Sequence, residues 1–260
     1  MVRVKEFFMR FYLGIILLFL YIPIGVLIVL SFNRSKSRSV WGGFTLEWYR
    51  ELFSDANIMA AFQNTIIIGL LASVLATVIG FMAAIGITAM KKRHYSITLG
   101  FGNIPMLNAD IVTGIILMLW ISRFVQLGSA SIVIAHITFN IPYVVMTVLP
   151  RMQKLDISVY EAARDLGAGA VYAFRKVLLP QLLPSIVGGF FMAFTMSMDD
   201  FVVTYFTKGA GIDTLSTMIY GQLKRGVQPE MYALSTVIFA IVLIVLVLAY
   251  ILPNLKEKRR

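Results

Sequence analysis

Apolar residues along this chain fall into six long runs, at 11–32, 62–90, 97–121, 131–149, 185–206 and 232–252, and the polar residues collect between them. The runs are continuous, without the period-two alternation of a barrel strand. About 20 mostly apolar residues carry a helix across a bilayer's hydrocarbon core. In lipid, backbone polar groups must be satisfied within the segment itself, which leaves helices. The pattern therefore predicts an all-α membrane protein, a single bundle of six transmembrane helices over residues 1–260. Three runs carry no charge; the others hold only His136, Asp110 and the pair Asp199–Asp200. Arg3, Lys5 and Arg10 precede the first run as they would in a signal peptide. That run is too long for such a segment and no small-residue cleavage site follows, so it is read as a span.

Composition narrows the classes further. Apolar residues make up 59% of the chain and charged residues 14%, against about 25% charged in soluble domains. A soluble monomer and a disordered chain are both excluded. There is no cysteine, hence no disulfide framework, thiol nucleophile or thiolate metal site. The net charge of +10 would suit nucleic acid, but its placement gives another reading. With both termini inside, 15 of the 23 Lys and Arg fall in inner segments, among them Lys91, Lys92, Arg93, Arg151, Lys154, Arg164, Arg175, Lys176, Lys258, Arg259 and Arg260, and 8 fall outside. Basic residues favour the cytoplasmic side. The charge thus predicts cytoplasmic termini, with no nucleic-acid partner.

Three connections stand out. The first outer loop reads Trp41-Gly-Gly-Phe-Thr-Leu-Glu-Trp-Tyr. Thr45 is placed to cap a short amphipathic helix, with Trp48 and Leu52 on one face; that helix is expected to anchor at headgroup level or to dock an outer partner. The third run is interrupted by Asn103, Pro105, Asn108 and Asp110, which predicts a broken helix facing protein or a watery cavity. The inner segment 150–184 is long and largely polar. Ser158 and Glu161 have capping-box spacing, predicting a helix over 159–166. Gly167 and Gly169 then supply a turn, and a second helix over 171–178 is expected to end at Pro180.

A charge at mid-membrane costs on the order of 3 kcal/mol on insertion scales, so Asp110, Asp199 and Asp200 imply a pathway or bonding partners. Asp110 is also placed to cap the helix that restarts after the break. Asp199 and Asp200 are about 100° apart on a helix, so one is expected to serve a ligand and the other to bond within the protein. His136 and Asn140 lie one turn apart and are expected to hydrogen-bond a neighbouring helix; one His is too few for a metal. No Walker A sequence occurs, so any ATPase must be a separate chain.

Glu161-Ala162-Ala163, with Gly167 four residues on and Val177-Leu178-Leu179-Pro180 beyond it, resembles the EAA loop of permease subunits in binding-protein-dependent ABC importers; Val177 stands where that pattern usually has Ile. The likeness extends through Tyr21-Ile-Pro23, Trp41 to Tyr49, Asp110-Ile-Val, His136-Ile-Thr-Phe139, Pro142 and Ser197-Met-Asp-Asp200. These look like the second permease of spermidine/putrescine importers, although Asn108-Ala109 stands where Ser-Pro is frequent. The resemblance implies a type I importer fold in a bacterial inner membrane and no catalytic residues. It further implies a homologous permease partner, an ATPase dimer that holds ATP and Mg and docks on Glu161, Ala162, Ala163, Gly167, Val177, Leu179 and Pro180, and an extracytoplasmic polyamine-binding protein. No cofactor is expected on this chain. Polyamine recognition needs carboxylates for ammonium groups and aromatic faces for cation–π and methylene contact, which nominates Asp110, Asp199 and Asp200 with Trp120, Phe201 and Tyr205. Competing readings are a permease for another cationic amine, an intramembrane aspartyl protease, which would lack its Gly-x-Gly-Asp sequence, and a secondary transporter, which would lack matching repeats and leave the inner loop without a use.

Overall fold

A computed structural model describes residues 2–226 and 228–257, with side chains for 11–223, 226, 228–241, 243 and 244. Lys258, Arg259 and Arg260, counted above as inner charges, lie outside the described residues. The regular structure of the described residues is all helical, with no strand beyond one isolated bridge between Asn33 and Phe44. Two compact units appear: residues 1–59 with 221–260, and residues 60–220.

In the first unit, α1 (Val2–Ser31) packs on α13 (Pro229–Glu257), and α13 on the short helix α2 (Glu47–Ser54). Residues Phe11–Tyr21 of α1 are all exposed; a helix this apolar is stable only in hydrocarbon or against another chain. The loop between α1 and α2 is organised by Asn33. Its side chain accepts from Ser35 and Gly42 N–H and donates to the Ser37 and Val40 carbonyls. The N-cap position of α2 is Leu46, without a side-chain cap, so the capping expected of Thr45 does not form; Thr45 Oγ1 instead accepts from Glu47 N–H at 3.2 Å in a local turn just before the helix. Trp48 and Leu52 do share a face, but that face is buried. The indole N–H of Trp48 donates to the Asn33 carbonyl at 2.8 Å, so this ring holds the loop to the helix.

The second unit contains the rest of α3 (Ala56–Thr88), then α4 (Lys92–Gly102), α5 (Ile104–Leu107), α6 (Asp110–Ile121), α7 (Ser129–Gln153), α8 (Ser158–Asp165), α9 (Ala170–Ala173), α10 (Leu179–Asp199), α11 (Val202–Thr207) and the first part of α12 (Leu215–Arg225). The antiparallel pair α7 and α10 is its most extensive packing, and α11 lies between α6 and α7. Ala84, Ile87, Val144, Val145, Val148, Leu149 and Ala193 form one core, and Leu117, Ile121, Ala135, Phe139 and Val203 a second. Gly114 lets α6 approach α11: a Cβ there would meet Phe206 at 2.9 Å and the backbone of Val202 and Val203 at 3.4 Å.

Among the described residues, four helices are long and apolar enough to cross a membrane: Phe11–Ser31, Ala56–Thr88, Ser129–Gln153 and Ala170–Asp199. Asp110–Ile121 and Pro229–Ile241 are shorter apolar helices at the third and sixth predicted spans. The third run is broken as predicted, into α4, α5 and α6, with extended backbone at Asn108 and Ala109.

Candidate functional site

The fifth apolar run is also broken, which its composition does not announce. α10 stops at Asp199, and Asp200 turns into extended backbone at φ −63°, ψ 120°. The Asp200 carboxylate accepts from the N–H groups of Val203 and Thr204 at 3.2 and 2.7 Å and from the Thr204 hydroxyl at 2.8 Å. A short acidic side chain that satisfies the free N–H groups of the next helix competes with continuing the first one. The carbonyl freed at Asp200 accepts from Ser216 at 2.6 Å. The Asp200 N–H, carbonyl and carboxylate are thus all bonded at the break.

His136 sits behind this break, 1% exposed. Nδ1 pairs with Ser197 Oγ at 3.0 Å and Nε2 with Thr204 Oγ1 at 2.9 Å, while Asp200 Oδ2 lies 3.5 Å from Nε2. Asn140 donates to Ser197 Oγ at 2.8 Å. The two residues read as bonding a neighbouring helix thus bond both segments that flank the break.

In front of it lies a cavity of about 240 Å³. Asp110, Asp199 and Asp200 all line it, with Thr113, Phe139, Tyr143, Met196 and Phe201. The two breaks bring the three acids together, since each places a carboxylate at a helix end facing the same space. Their states differ. Asp200 is 10% exposed at its side chain and fully bonded. Asp199 and Asp110 are exposed, and neither side chain hydrogen-bonds another described residue. Asp110 opens α6 without making a side-chain cap, contrary to the capping alternative. Thr113 Oγ1 is buried without a partner beside the same cavity. Phe201 stacks on Tyr220 at 4.0 Å between centroids. Trp120 pairs edge-on with Phe124 and does not line the cavity, nor does Tyr205, which packs beside Phe201.

At the other end of the α7–α10 pair is the segment that connects them, which holds α8 and α9. α8 ends in a Schellman turn: Ala168 N–H donates to the Ala163 carbonyl and Gly167 N–H to the Arg164 carbonyl, with Gly167 at φ +86°. Glycine is the residue that takes this conformation without strain. Two expectations fail here. Ser158 is already the first helical residue, and no capping box forms; Asp156 does that work, accepting Ser158 N–H at 3.0 Å. The Ser158 hydroxyl and N–H hold the Asp156 carboxyl below its ordinary range. Nor does a helix end at Pro180. A π-helical turn over Phe174–Leu178 joins α9 to α10, and Leu179 N–H bonds the Phe174 carbonyl five residues back. The wider turn admits Pro180 without an interruption. Glu161, Ala162, Gly167 and Pro180 are exposed; Ala163, Val177 and Leu179 are half-buried.

Residues 76–259 match the family described as binding-protein-dependent transport system inner membrane component. The chain belongs to this family of permeases. It is 36% identical over 241 residues to the spermidine/putrescine transport system permease protein PotC of Escherichia coli strain K12, covering 92% of this chain and 91% of that one. To PotC of Haemophilus influenzae it is 35% identical over 252 residues, 96% and 98% of the two chains. The putrescine transport system permease protein PotI of E. coli K12 is 36% identical over 253 residues, with 93% and 89% covered. Among solved structures, a bacterial ABC transporter involved in import of the acidic polysaccharide alginate aligns at TM-score 0.70 and 17% identity, covering 95% of this permease and 93% of that chain. An amino acid ABC transporter aligns at TM-score 0.56 and 18% identity, covering 84% and 100%. These two share the fold. Family membership makes the chain a transport component.

Sequence reasoning missed several residues of the permease's cavity. Tyr143, Phe139 and Thr113 look like ordinary members of apolar spans, and only the packing of α6, α7 and α10 brings them to the acids. The spacing of Phe139 and Tyr143, one turn apart on one face of α7, is the one signal that was available.

Proposed function

We propose that this permease forms half of the translocation pathway of an ATP-driven polyamine importer in a bacterial cytoplasmic membrane. The observation that carries this reading is that one cavity is lined by Asp110, Asp199 and Asp200, and that the side chains of Asp110 and Asp199 hydrogen-bond no other described residue. Polyamines are flexible chains of ammonium groups spaced by methylenes. Unpaired carboxylates on separate helices engage separate ammoniums, and the faces of Phe139, Tyr143 and Phe201 pack the methylenes between them. The names of the relatives at 35–36% identity, spermidine/putrescine and putrescine permeases, point to the same class. Asp199 and Asp110 meet the substrate in this account, whereas Asp200 holds the backbone that presents Asp199.

The rest of the machine follows from the same reading. Six spans put both termini in the cytoplasm, and a homologous permease covers the open side of the pathway. An extracytoplasmic binding protein supplies affinity and delivers the polyamine. ATP and Mg belong to a separate ATPase dimer, which seats on Glu161 to Pro180 and moves the α7–α10 hairpin. This chain holds no cofactor. Contacts along the path are weak, because a tight site would slow release.

The test is ATP-dependent uptake of labelled spermidine and putrescine by proteoliposomes holding this chain with its permease partner, ATPase and binding protein. Uptake that Asp199→Asn or Asp110→Asn abolishes supports the reading. An assembly that hydrolyses ATP in response to its binding protein and moves no polyamine refutes the substrate class.

A further inference from the structure

We propose that His136 is a positioning residue for transport: in its uncharged, Nε2-protonated form it carries a one-way hydrogen-bond chain from Asn140 to Asp200 that sets the helix break and so aims Asp199 into the cavity. This rests on the polyamine-pathway reading above only for what Asp199 does.

The direction of every bond follows from donor and acceptor capacities. The Asp200 carboxylate only accepts. Thr204 Oγ1, 2.8 Å from Asp200 Oδ2, therefore spends its one proton there. Its oxygen then accepts from His136 Nε2 at 2.9 Å, so Nε2 carries hydrogen. Nδ1 is left as an acceptor, and Ser197 Oγ at 3.0 Å donates its proton to it. Ser197 Oγ in turn accepts from Asn140 Nδ2 at 2.8 Å.

The alternatives cost more. In an imidazolium, both Nδ1–H and Asn140 would point donors at Ser197 Oγ, whose own proton has no other partner among the described residues. Turning the Asn140 amide over would reverse the serine, but it would put N–H donors where the buried, unpartnered Asn140 Oδ1 now sits. Orphaned buried donors are rarer than under-satisfied acceptors, so the orientation that leaves the amide oxygen unpaired is the less costly one. The charged group facing the ring is Asp200, at 3.5 Å. Phe139 meets the ring edge-on from its own helix, and Asp110 and Asp199 line the cavity beyond Phe139.

The mechanical consequence comes from which elements the ring joins. Ser197 is on α10 and Thr204 on α11, one on each side of the break; the width of a single imidazole on α7 spaces them. Asp199 lies between these two anchors. The same α7 runs on from His136 to Gln153, about 25 Å at 1.5 Å per residue, and ends at the inner loop. A displacement of that loop reaches the break through one continuous helix, which carries Pro142 and Pro150, and one ring.

The experiment uses the four-component transporter in proteoliposomes with labelled spermidine. His136→Gln offers one donor and one acceptor without charge; His136→Leu fills the space with neither. Losing the paired donor and acceptor in a buried site predicts a fall of roughly tenfold or more in maximal uptake per assembled complex for His136→Leu, with His136→Gln restoring most of it. ¹⁵N NMR of the ring in the purified wild-type complex is expected to show Nε2 protonated and Nδ1 bare. Both nitrogens protonated, or uptake by His136→Leu equal to wild type, overturns the proposal, as does His136→Gln being as inactive as His136→Leu in a complex that assembles. If His136→Leu fails to assemble, the NMR signature and His136→Gln decide. An Asp199→Asn complex is run alongside: if it transports normally, the pathway reading of Asp199 fails, whereas the ring's protonation pattern is unaffected.

Discussion

Replacing Asp200 with alanine should damage the fold, and replacing Asp199 should not. Asp200 accepts three bonds, from Val203 N–H, Thr204 N–H and Thr204 Oγ1. Losing a side chain that caps a helix start costs about 1 kcal/mol, with an upper range near 2. Losing the acceptor for the buried Thr204 hydroxyl adds about 1 kcal/mol more. Asp200→Ala is therefore expected to destabilise by about 2–3 kcal/mol, a fall in Tm of roughly 5–10 °C for a chain of this size. Asp199 is exposed to the cavity and makes no hydrogen bond with another described residue, so Asp199→Ala should stay within about 0.5 kcal/mol of wild type. The assay is thermal unfolding of the purified permease in detergent, followed by circular dichroism. Equal shifts for the two variants, or a larger one for Asp199→Ala, would refute the division of labour between these neighbouring acids.

Three further outcomes follow from other parts of the chain. Glu51 and Glu230 line one cavity of about 350 Å³ in the first unit, and the hydrogen bond from Glu230 holds the Glu51 carboxyl above its ordinary value of 4.5, against the pull of Lys36. A raised carboxyl contributes stability that is complete below its unfolded value and lost as pH rises through its folded one; Glu51→Gln should therefore raise Tm at pH 7.5 and leave it unchanged at pH 4. Asn33→Ala removes all four side-chain bonds that shape the outer loop, so limited proteolysis within residues 35–42 should accelerate several-fold while the Tm of the whole chain moves little. Gly167→Ala forces a φ of +86° on a residue with a Cβ, at roughly 1–2 kcal/mol; the purified permease should melt roughly 2–8 °C lower and ATP-driven uptake should fall.

Much of the membrane architecture was legible because continuous apolar runs leave few physical solutions. The break in the third run was legible too, since Pro105 and three polar residues sit where lipid tolerates neither. The break at Asp200 was not. Its run stays apolar on both sides, and what stabilises it are partners far along the chain, His136 and Ser216. That only one of Asp199 and Asp200 would bond within the protein did follow from their angular separation, but which one needed the hydrogen bonds. Trp48 shows the same limit: its spacing gave an amphipathic helix, while its burial depends on a carbonyl fifteen residues earlier. Pro180 misled because proline rules assume the α-helical register, and the chain there takes a π turn. The inner loop was the clearest local signal, because Gly167 and the small residues before it act within one turn and need no distant partner.

The central claim is that Asp199 faces the substrate from a break that Asp200 and His136 hold in place. The most direct measurement is spermidine uptake by the reconstituted four-component transporter carrying Asp199→Asn, normalised to assembled complex. The account predicts uptake reduced at least tenfold with the permease's Tm unchanged. Wild-type uptake by Asp199→Asn would contradict it.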